Sequence, residues 1–227
     1  MNDTKIADFV TQMAELQFLH TFNPYADVCL AYDLPDAPAI RRANLTAVLT
    51  AACTTGVNSL WVARDLGYKG GRRTGLALTD ELHLTHHATL LGSAPLQRAT
   101  RGEVFGERTA TVVWGVLAAL KQPVFLWNLF PLHPHAPGDA LTNRCHTRQE
   151  RDACRFSLDW LMSHLQPKQI IAIGRDAQSG LTAMGITHHP IRHPSYGGQT
   201  DFLNGLALLY PKTQTPQHLQ GVIEYKY

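Results

Sequence analysis

Cysteines and long hydrophobic runs are scarce in this sequence. The 227 residues include four cysteines, and none of them forms a C-x-x-C pair. This spacing is too sparse for a disulfide framework, so we expect reduced thiols and a cytoplasmic protein. The longest strictly apolar stretch, residues 112–120, is far shorter than the roughly 18 residues that a membrane span needs. The first residues also lack the basic and apolar regions of a signal peptide, so we expect no membrane partner.

Charge is scarce as well. Only 17% of the residues are charged, and 20 Lys and Arg against 18 Asp and Glu give a formal net charge of +2. Apolar residues make up 44%, which is typical of a globular chain and excludes disorder, collagen and a coiled coil. A net charge this small gives no general indication of nucleic-acid binding. Without a repeat or a linker, residues 1–227 are predicted to form a single domain, and we expect a monomer.

The spacing of apolar residues predicts helices that alternate with short strands. The predicted helices are residues 3–20, 39–55, 107–121, 147–165, 176–184 and 199–209. The predicted strands are residues 59–63, 124–128, 169–173 and 189–192. This alternation is typical of β-α-β units, so we predict an α/β fold, a three-layer α/β/α sandwich with a central, mainly parallel four-stranded sheet. Ligands of such sheets bind at the carboxyl ends of the strands.

The first predicted strand is followed by a loop rich in glycine and cations. Asp65 is its only acid, and Gly67 follows shortly after. The cations of the loop are Arg64, Lys69, Arg72 and Arg73. Such a loop can bring backbone N–H groups and positive charge to a phosphate, although it matches neither a Walker A loop nor a dinucleotide-binding loop. Taken alone, the pattern also fits a solvated surface loop.

Polar side chains also follow two later strands. Asn128 ends an apolar strand, and its amide offers a carbonyl and an NH2 group that together can read the edge of a base. His193 follows the last strand, and Ser195 and Tyr196 continue a tight loop. In isolation, Asn128 fits a capping or turn residue and His193 fits an ordinary loop histidine.

Asp65, Asn128 and His193 together indicate a functional site more strongly than any one of them does alone. If all three strands belong to one parallel sheet, Asp65, Asn128 and His193 converge on one crevice. That combination suits a site that holds a heterocycle while a bond to it breaks. The H-x-H of His133 and His135 has no third ligand at metal-site spacing, so we expect no metal there.

These motifs resemble those of the uracil-DNA glycosylase superfamily, in the same order and over most of the chain. The first motif of the superfamily, GQDPYH or GEAPG after a strand, reads ARDLG here at residues 63–67. The block similar to TGRPF is TGLAL at residues 74–78, and the HPS loop reads HPSY at residues 193–196. The Asn that ends the second strand in many families of the superfamily matches Asn128.

The resemblance implies a monofunctional DNA glycosylase that hydrolyses the N-glycosidic bond of a flipped pyrimidine and leaves an abasic site. It implies catalytic roles for Asp65, which would position the attacking water, and for His193, which would donate a hydrogen bond to the departing base. Asn128 would hold the edge of the base. Members with an iron–sulfur cluster carry a close pair of cysteines near the N-terminus, which this chain lacks. We therefore expect no cofactor.

Two departures from the superfamily pattern concern the base pocket. Gly67 aligns with the Tyr that blocks the thymine methyl group, and Leu78 takes the place of an aromatic residue that often stacks on uracil. The resemblance therefore implies a base pocket that is open at C5. Such a pocket would accept bulky 5-modified cytosine as well as, or instead of, uracil. An antiphage branch of the superfamily acts on such bases in phage DNA, so both antiviral defence and uracil repair are candidate roles.

The same resemblance makes DNA, of a phage or of the genome, the expected partner. Arg64, Lys69, Arg72 and Arg73 would contact phosphates, and Ser195 would add a neutral phosphate contact. Tyr196 would fill the gap that the flipped base leaves, or it packs within its loop. Two alternatives remain at this point. The chain is a hydrolase of free nucleotides, or it is a non-catalytic DNA-binding module on the same fold.

Overall fold

The computed structural model describes residues 3–210. In chain order, its strands and helices are α1 (Asp3–Glu15), β1 (Thr21–Phe22), α2 (Ala37–Thr55), β2 (Ser59–Asp65), α3 (Gly71–Thr74), α4 (Leu84–Leu91), α5 (Arg108–Leu120), β3 (Val124–Phe130), β4 (His133–Pro134), α6 (Arg148–Ala153), α7 (Arg155–Leu165), β5 (Gln169–Ile173), α8 (Arg175–Ala183), β6 (His189–Ile191) and α9 (Gln199–Leu209). A short 3-10 turn, Glu81–His83, precedes α4. The predicted single domain also includes residues 1–2 and 211–227, which lie outside the described residues.

The central sheet has four strands in the order β3-β2-β5-β6, and all of its neighbours are parallel. Helices α5 and α9 cover one face of this sheet. Helices α1, α2, α7 and α8 cover the other. The predicted three-layer α/β/α sandwich with a parallel four-stranded sheet is therefore confirmed. Strands β1 and β4 pair separately as a small antiparallel ribbon.

Alternating side chains of β2 divide between the two hydrophobic layers. Leu60 and Val62 pack with the helices of one face, whereas Trp61 and Ala63 pack with α5 and α9 on the other. This follows from the two-residue period of a strand. A strand that is buried on both faces needs apolar residues at nearly every position, which is why the run SLWVA already predicts it.

The helix predicted over residues 3–20 ends earlier, at Glu15. The side-chain amide of Asn23 donates to the carbonyl oxygens of Met13 (2.9 Å) and Leu16 (3.0 Å) and so satisfies groups that the helix end leaves open. The sequence shows the apolar spacing but not this long-range cap, so the predicted boundary is wrong.

The helix predicted over residues 147–165 is two helices, α6 and α7, divided at Cys154. Thr147 and Glu150 form a capping box that starts α6, as a Thr and a Glu three residues apart favour. Helices α3 and α4 and the ribbon of β1 and β4 are absent from the sequence prediction. All of them are short, and short elements depend on packing more than on local periodicity.

A buried ion pair fixes the loop between β1 and α2. Arg41 of α2 pairs with Asp33 of that loop, and both side chains are fully buried. Arg41 Nε also donates to the carbonyl oxygen of Arg73, at 2.9 Å. One guanidinium thereby joins α2 to two loops.

Among residues 3–210, no helix combines the length and the apolar character that crossing a membrane requires.

Replacing Asp33 by Asn should lower the free energy of unfolding by about 3–5 kcal/mol, because the Arg41 charge would stay buried without its partner. The control is Asp159→Asn on α7, where the pair with Arg155 is about half exposed and the expected change is below about 1 kcal/mol. Urea unfolding of both variants measures this. Equal, small losses for the two variants would contradict a stabilising role of the buried pair.

Candidate active site

The carboxyl ends of β2, β3 and β6 bring three polar side chains to one edge of the sheet. The parallel register pairs Ala63 with Asn128 and Asp65 with Phe130. His193 lies two residues beyond the end of β6. By the two-residue period of β3, Asn128 points to the same face as Leu126, which packs with α5 and α9.

The Asn128 amide is buried and has no hydrogen-bond partner among the described residues. The residue is 1% exposed, and neither its Nδ2 nor its Oδ1 is paired with another atom of residues 3–210. Buried polar groups are nearly always paired, and an unpaired one costs about 1–3 kcal/mol. Its neighbour across the sheet, Ala63, is small. Asn128 therefore offers a donor and an acceptor to a ligand at the edge of the sheet.

The Asp65 carboxylate is held by two donors. Arg64 Nε donates to Oδ2 at 2.6 Å, and the Nδ1–H of His146 donates to Oδ1. Arg64 also donates to Asp176 Oδ2, at 2.9 Å. Only 4% of the Asp65 side chain is exposed, so these contacts fix its orientation. His146 and Asp176 are missed by the sequence analysis, because neither stands in a recognisable motif.

The His193 ring is held as a neutral imidazole. The backbone N–H of Ser195 donates to its Nδ1 at 3.2 Å, and the Ser195 hydroxyl oxygen lies 2.7 Å from the same atom. Because Nδ1 accepts a hydrogen bond, the ring proton is assigned to Nε2. Burial, together with the charges of Arg64 and Arg192, lowers the pKa of His193 to about 4. Its Nε2–H is therefore an uncharged donor at neutral pH.

The Tyr196 side chain projects into solvent from the same loop. Its side chain does not pack, since the residue is 98% exposed, and its φ is +50°. The left-handed region is uncommon for a residue other than glycine and costs free energy. The structure therefore does not support the interpretation in which Tyr196 packs within its loop, and the filling of the gap left by a flipped base stays a prediction.

Gly67 and Leu78 lie close to α5 and to Glu107, the residue that precedes it. Leu78, with a φ of +52°, packs partly buried against the cluster that contains Ala63. Its carbonyl oxygen accepts a hydrogen bond from Trp114 Nε1 at 3.1 Å. The atoms nearest to the place of a Cβ at Gly67 belong to the carboxylate of Glu107, at 3.5 Å.

Two of the four predicted phosphate-binding cations point into the protein. The Arg72 guanidinium lies 3.8 Å from the centre of the Phe22 ring. Arg73 Nε lies 3.1 Å from a carboxylate oxygen of Glu81, and its guanidinium is 4.1 Å from the Tyr32 ring centre. Both arginines are buried, at 2% and 7% exposure. The predicted phosphate contacts of Arg72 and Arg73 thus have no support in the structure, because both side chains are buried and face internal groups.

The other two cations are more accessible. Arg64 is partly exposed but is engaged with Asp65 and Asp176. Lys69 is exposed, and its Nζ lies 5.5 Å from the centre of the Tyr68 ring. The sequence predicts a local positive patch of four cations. In the structure, Lys69 is the one of these four that is exposed rather than buried or partly buried.

The H-x-H pattern is part of the packing around the Arg72 side chain. Arg72 Nη1 donates to His133 Nδ1 at 3.0 Å, and His133 Nε2 donates to the Thr142 carbonyl oxygen at 2.9 Å. Burial and the Arg72 charge lower the pKa of His133 to about 3. In the part of the chain that the structure describes, no group of three or more His, Cys, Asp or Glu side chains is placed to hold a metal ion.

A comparison with protein families matches the chain to one family. The family model of the Uracil DNA glycosylase superfamily matches residues 83–216, more than half of the chain. The matched part includes Asn128 and His193, whereas Asp65 precedes it. None of the curated proteins matches the chain.

A solved structure shows the same fold over nearly the whole chain. The crystal structure of wild-type SMUG2 from Pedobacter heparinus superposes with a TM-score of 0.55 at 12% sequence identity, covering 96% of this chain and 94% of that one. At this identity the likeness concerns the fold, and the matched family model identifies the family. The chain therefore belongs to the uracil-DNA glycosylase superfamily and is a DNA glycosylase, a hydrolase of the N-glycosidic bond.

Proposed function

We propose that this glycosylase is monofunctional and hydrolyses the bond between the base and the sugar of a flipped pyrimidine nucleotide, leaving an abasic site. The observation that carries the proposal is the buried Asn128 amide, whose donor and acceptor both lack a partner in the part of the chain that the structure describes. A base edge supplies the complementary pair of groups. The base reaches the crevice only after flipping out of the stack, which costs a few kcal/mol.

Asp65 would act on the sugar side of the breaking bond. As the bond lengthens, the sugar becomes oxocarbenium-like and negative charge develops on O2 of the base. An ionised Asp65 stabilises the cation and positions the attacking water. Each carboxylate oxygen has two lone pairs. The bonds from Arg64 and His146 therefore leave room for the water, while they keep the carboxylate in one orientation.

His193 would act on the base side. Its Nε2–H donates to the developing negative charge on O2, and a neutral donor suffices for such stabilisation. The low pKa of His193, about 4, keeps the ring in this form at neutral pH. Ser195 contributes indirectly, since its N–H and hydroxyl group fix the tautomer through Nδ1.

For the substrate, we propose a cytosine that carries a bulky group at C5. The absence of a side chain at Gly67 and the aliphatic Leu78 support this, because neither closes the pocket with an aromatic ring. The Asn128 amide fits either cytosine or uracil, since its orientation can be reversed. A role in defence against phages with modified DNA would follow from this substrate class.

DNA contacts would come from exposed residues around the crevice. Lys69 offers a cation, Ser195 a hydroxyl group, and Tyr196 a ring that would fill the gap left by the flipped base. This small set suits an enzyme that grips a few phosphates around one nucleotide. We propose that the protein acts as a monomer in the cytoplasm.

The base that the protein releases tests the proposed function. Oligonucleotides with uracil, a thymine mismatch, hydroxymethylcytosine or glucosylated hydroxymethylcytosine are incubated with the protein, and released bases are identified by mass spectrometry. We expect release of the modified cytosines. Asp65→Asn and His193→Ala should each slow single-turnover release by about 100-fold or more, because each removes a group that acts in the transition state.

The control for these variants is Asp159→Asn, which alters an exposed carboxylate on α7 and should leave the rate unchanged. Thermal unfolding shows whether each variant is folded. Full activity of both Asp65→Asn and His193→Ala would refute the catalytic assignment. Release of uracil alone would refute the proposed substrate but would still demonstrate glycosylase activity.

Tyr196→Ala should weaken binding to DNA that contains the target base by about tenfold, because stacking of an aromatic ring on a base is worth about 1–3 kcal/mol. Tyr196→Phe keeps the ring and should bind as the parent protein does. Fluorescence of 2-aminopurine placed beside the target reports flipping in the same titration. Equal binding and equal fluorescence for the Ala and Phe variants would exclude this role.

A further inference from the structure

The Glu107 carboxylate lies next to the position that a side chain would take at Gly67. Glu107 Oε1 lies 3.5 Å from the place that a Cβ would take at Gly67. A Cβ at Gly70 would collide with Glu107 Oε2. The missing side chains at both glycines therefore let the Glu107 carboxylate lie against this loop.

The fold places Glu107 on the same side and at the same edge of the sheet as Asn128. Glu107 immediately precedes α5, and the far end of α5, at Leu120, leads into β3. The start of α5 therefore lies towards the carboxyl end of β3. Trp114 of α5 packs in the same cluster as Ala63 and Leu126, which is the layer towards which Asn128 points.

The Glu107 carboxylate has no donor of its own among residues 3–210. Its backbone N–H donates to Asp80 Oδ2 at 2.6 Å, but its side chain accepts no hydrogen bond from the described residues. Asp80 is itself buried and bonded to His83 Nδ1 at 2.5 Å. Burial and the Asp80 charge raise the pKa of Glu107, while the Lys69 charge acts in the opposite direction. A partly desolvated carboxylate of this kind is stabilised by a donor.

We propose that Glu107 determines substrate specificity by accepting a hydrogen bond from a hydroxyl group carried at C5 of the flipped base. This inference rests on the proposed function, since Gly67 marks the C5 side of the pocket only if a pyrimidine occupies it. The complementary substrate is a 5-hydroxymethylated cytosine. A base with a methyl group or hydrogen at C5 would leave the carboxylate partly desolvated and unpaired.

The size of the expected substrate preference follows from the strength of a hydrogen bond to a charged group. Such a bond is worth about 1.5–3 kcal/mol, which corresponds to a preference of about 10- to 150-fold in kcat/KM. 5-Methylcytosine is the matched comparison, because it has nearly the size of 5-hydroxymethylcytosine and lacks only the hydroxyl donor.

The experiment compares base release from oligonucleotides that carry 5-hydroxymethylcytosine, 5-methylcytosine or uracil at one position. The parent protein should prefer 5-hydroxymethylcytosine to 5-methylcytosine by about 10-fold or more. Glu107→Ala should bring the two rates within about threefold, by slowing release of the hydroxylated base alone, because only that base loses a hydrogen bond. Glu107→Gln retains an acceptor oxygen and should give an intermediate ratio. Glu103→Gln changes an exposed acid of the same segment and should leave the ratio as it was.

The outcomes separate this inference from the proposed function. No release from any substrate would overturn both. Equal release of 5-hydroxymethylcytosine and 5-methylcytosine by the parent protein would overturn the role of Glu107 alone, as would a preference that survives Glu107→Ala. A ratio that collapses in Glu107→Ala, with 5-methylcytosine release retained, supports the role. The retained release also shows that the variant is folded.

Discussion

The parallel pairing of β2 with β3 determines where the functional side chains lie. Because strand side chains alternate, a shift of one residue would turn Asn128 away from the α5 face. Hydrophobic side chains on both faces of the two strands oppose such a shift. Trp61 and Leu126 pack with one layer, and Val62 and Trp127 pack with the other. The register that buries these side chains also brings the carboxyl ends of β2 and β3, with Asp65 and Asn128, to the same edge of the sheet.

Some of the unfavourable features of the structure belong to the residues of the candidate site. The Asn128 amide has no partner within residues 3–210, and both Leu78 and Tyr196 have left-handed backbone conformations. Features of this kind persist where the surrounding structure fixes them, and they cluster at functional sites. Here the internal pair of Arg41 with Asp33 helps to fix the nearby loops, since Arg41 also binds the carbonyl oxygen of Arg73.

Local sequence signals were enough to predict the alternation of helices and strands, and hence the edge to which Asp65, Asn128 and His193 belong. They could not predict the partners of those residues. His146 lies 81 positions from Asp65, and no spacing rule connects two such loops before the chain is folded. The same limitation explains Arg72 and Arg73: a basic loop has the same sequence pattern whether its charges face solvent or buried partners.

The Asn128 amide has no partner among the described residues, and its proposed role is to bind the edge of a base. Asn128→Leu, which replaces the amide by an apolar group of similar shape, tests this by comparing stability and activity in one variant. The free energy of unfolding should rise by about 1–3 kcal/mol, since a buried unsatisfied amide is removed, and base release should be lost. A variant that is less stable than the parent and still releases the base at the parent rate would contradict the proposed role of Asn128.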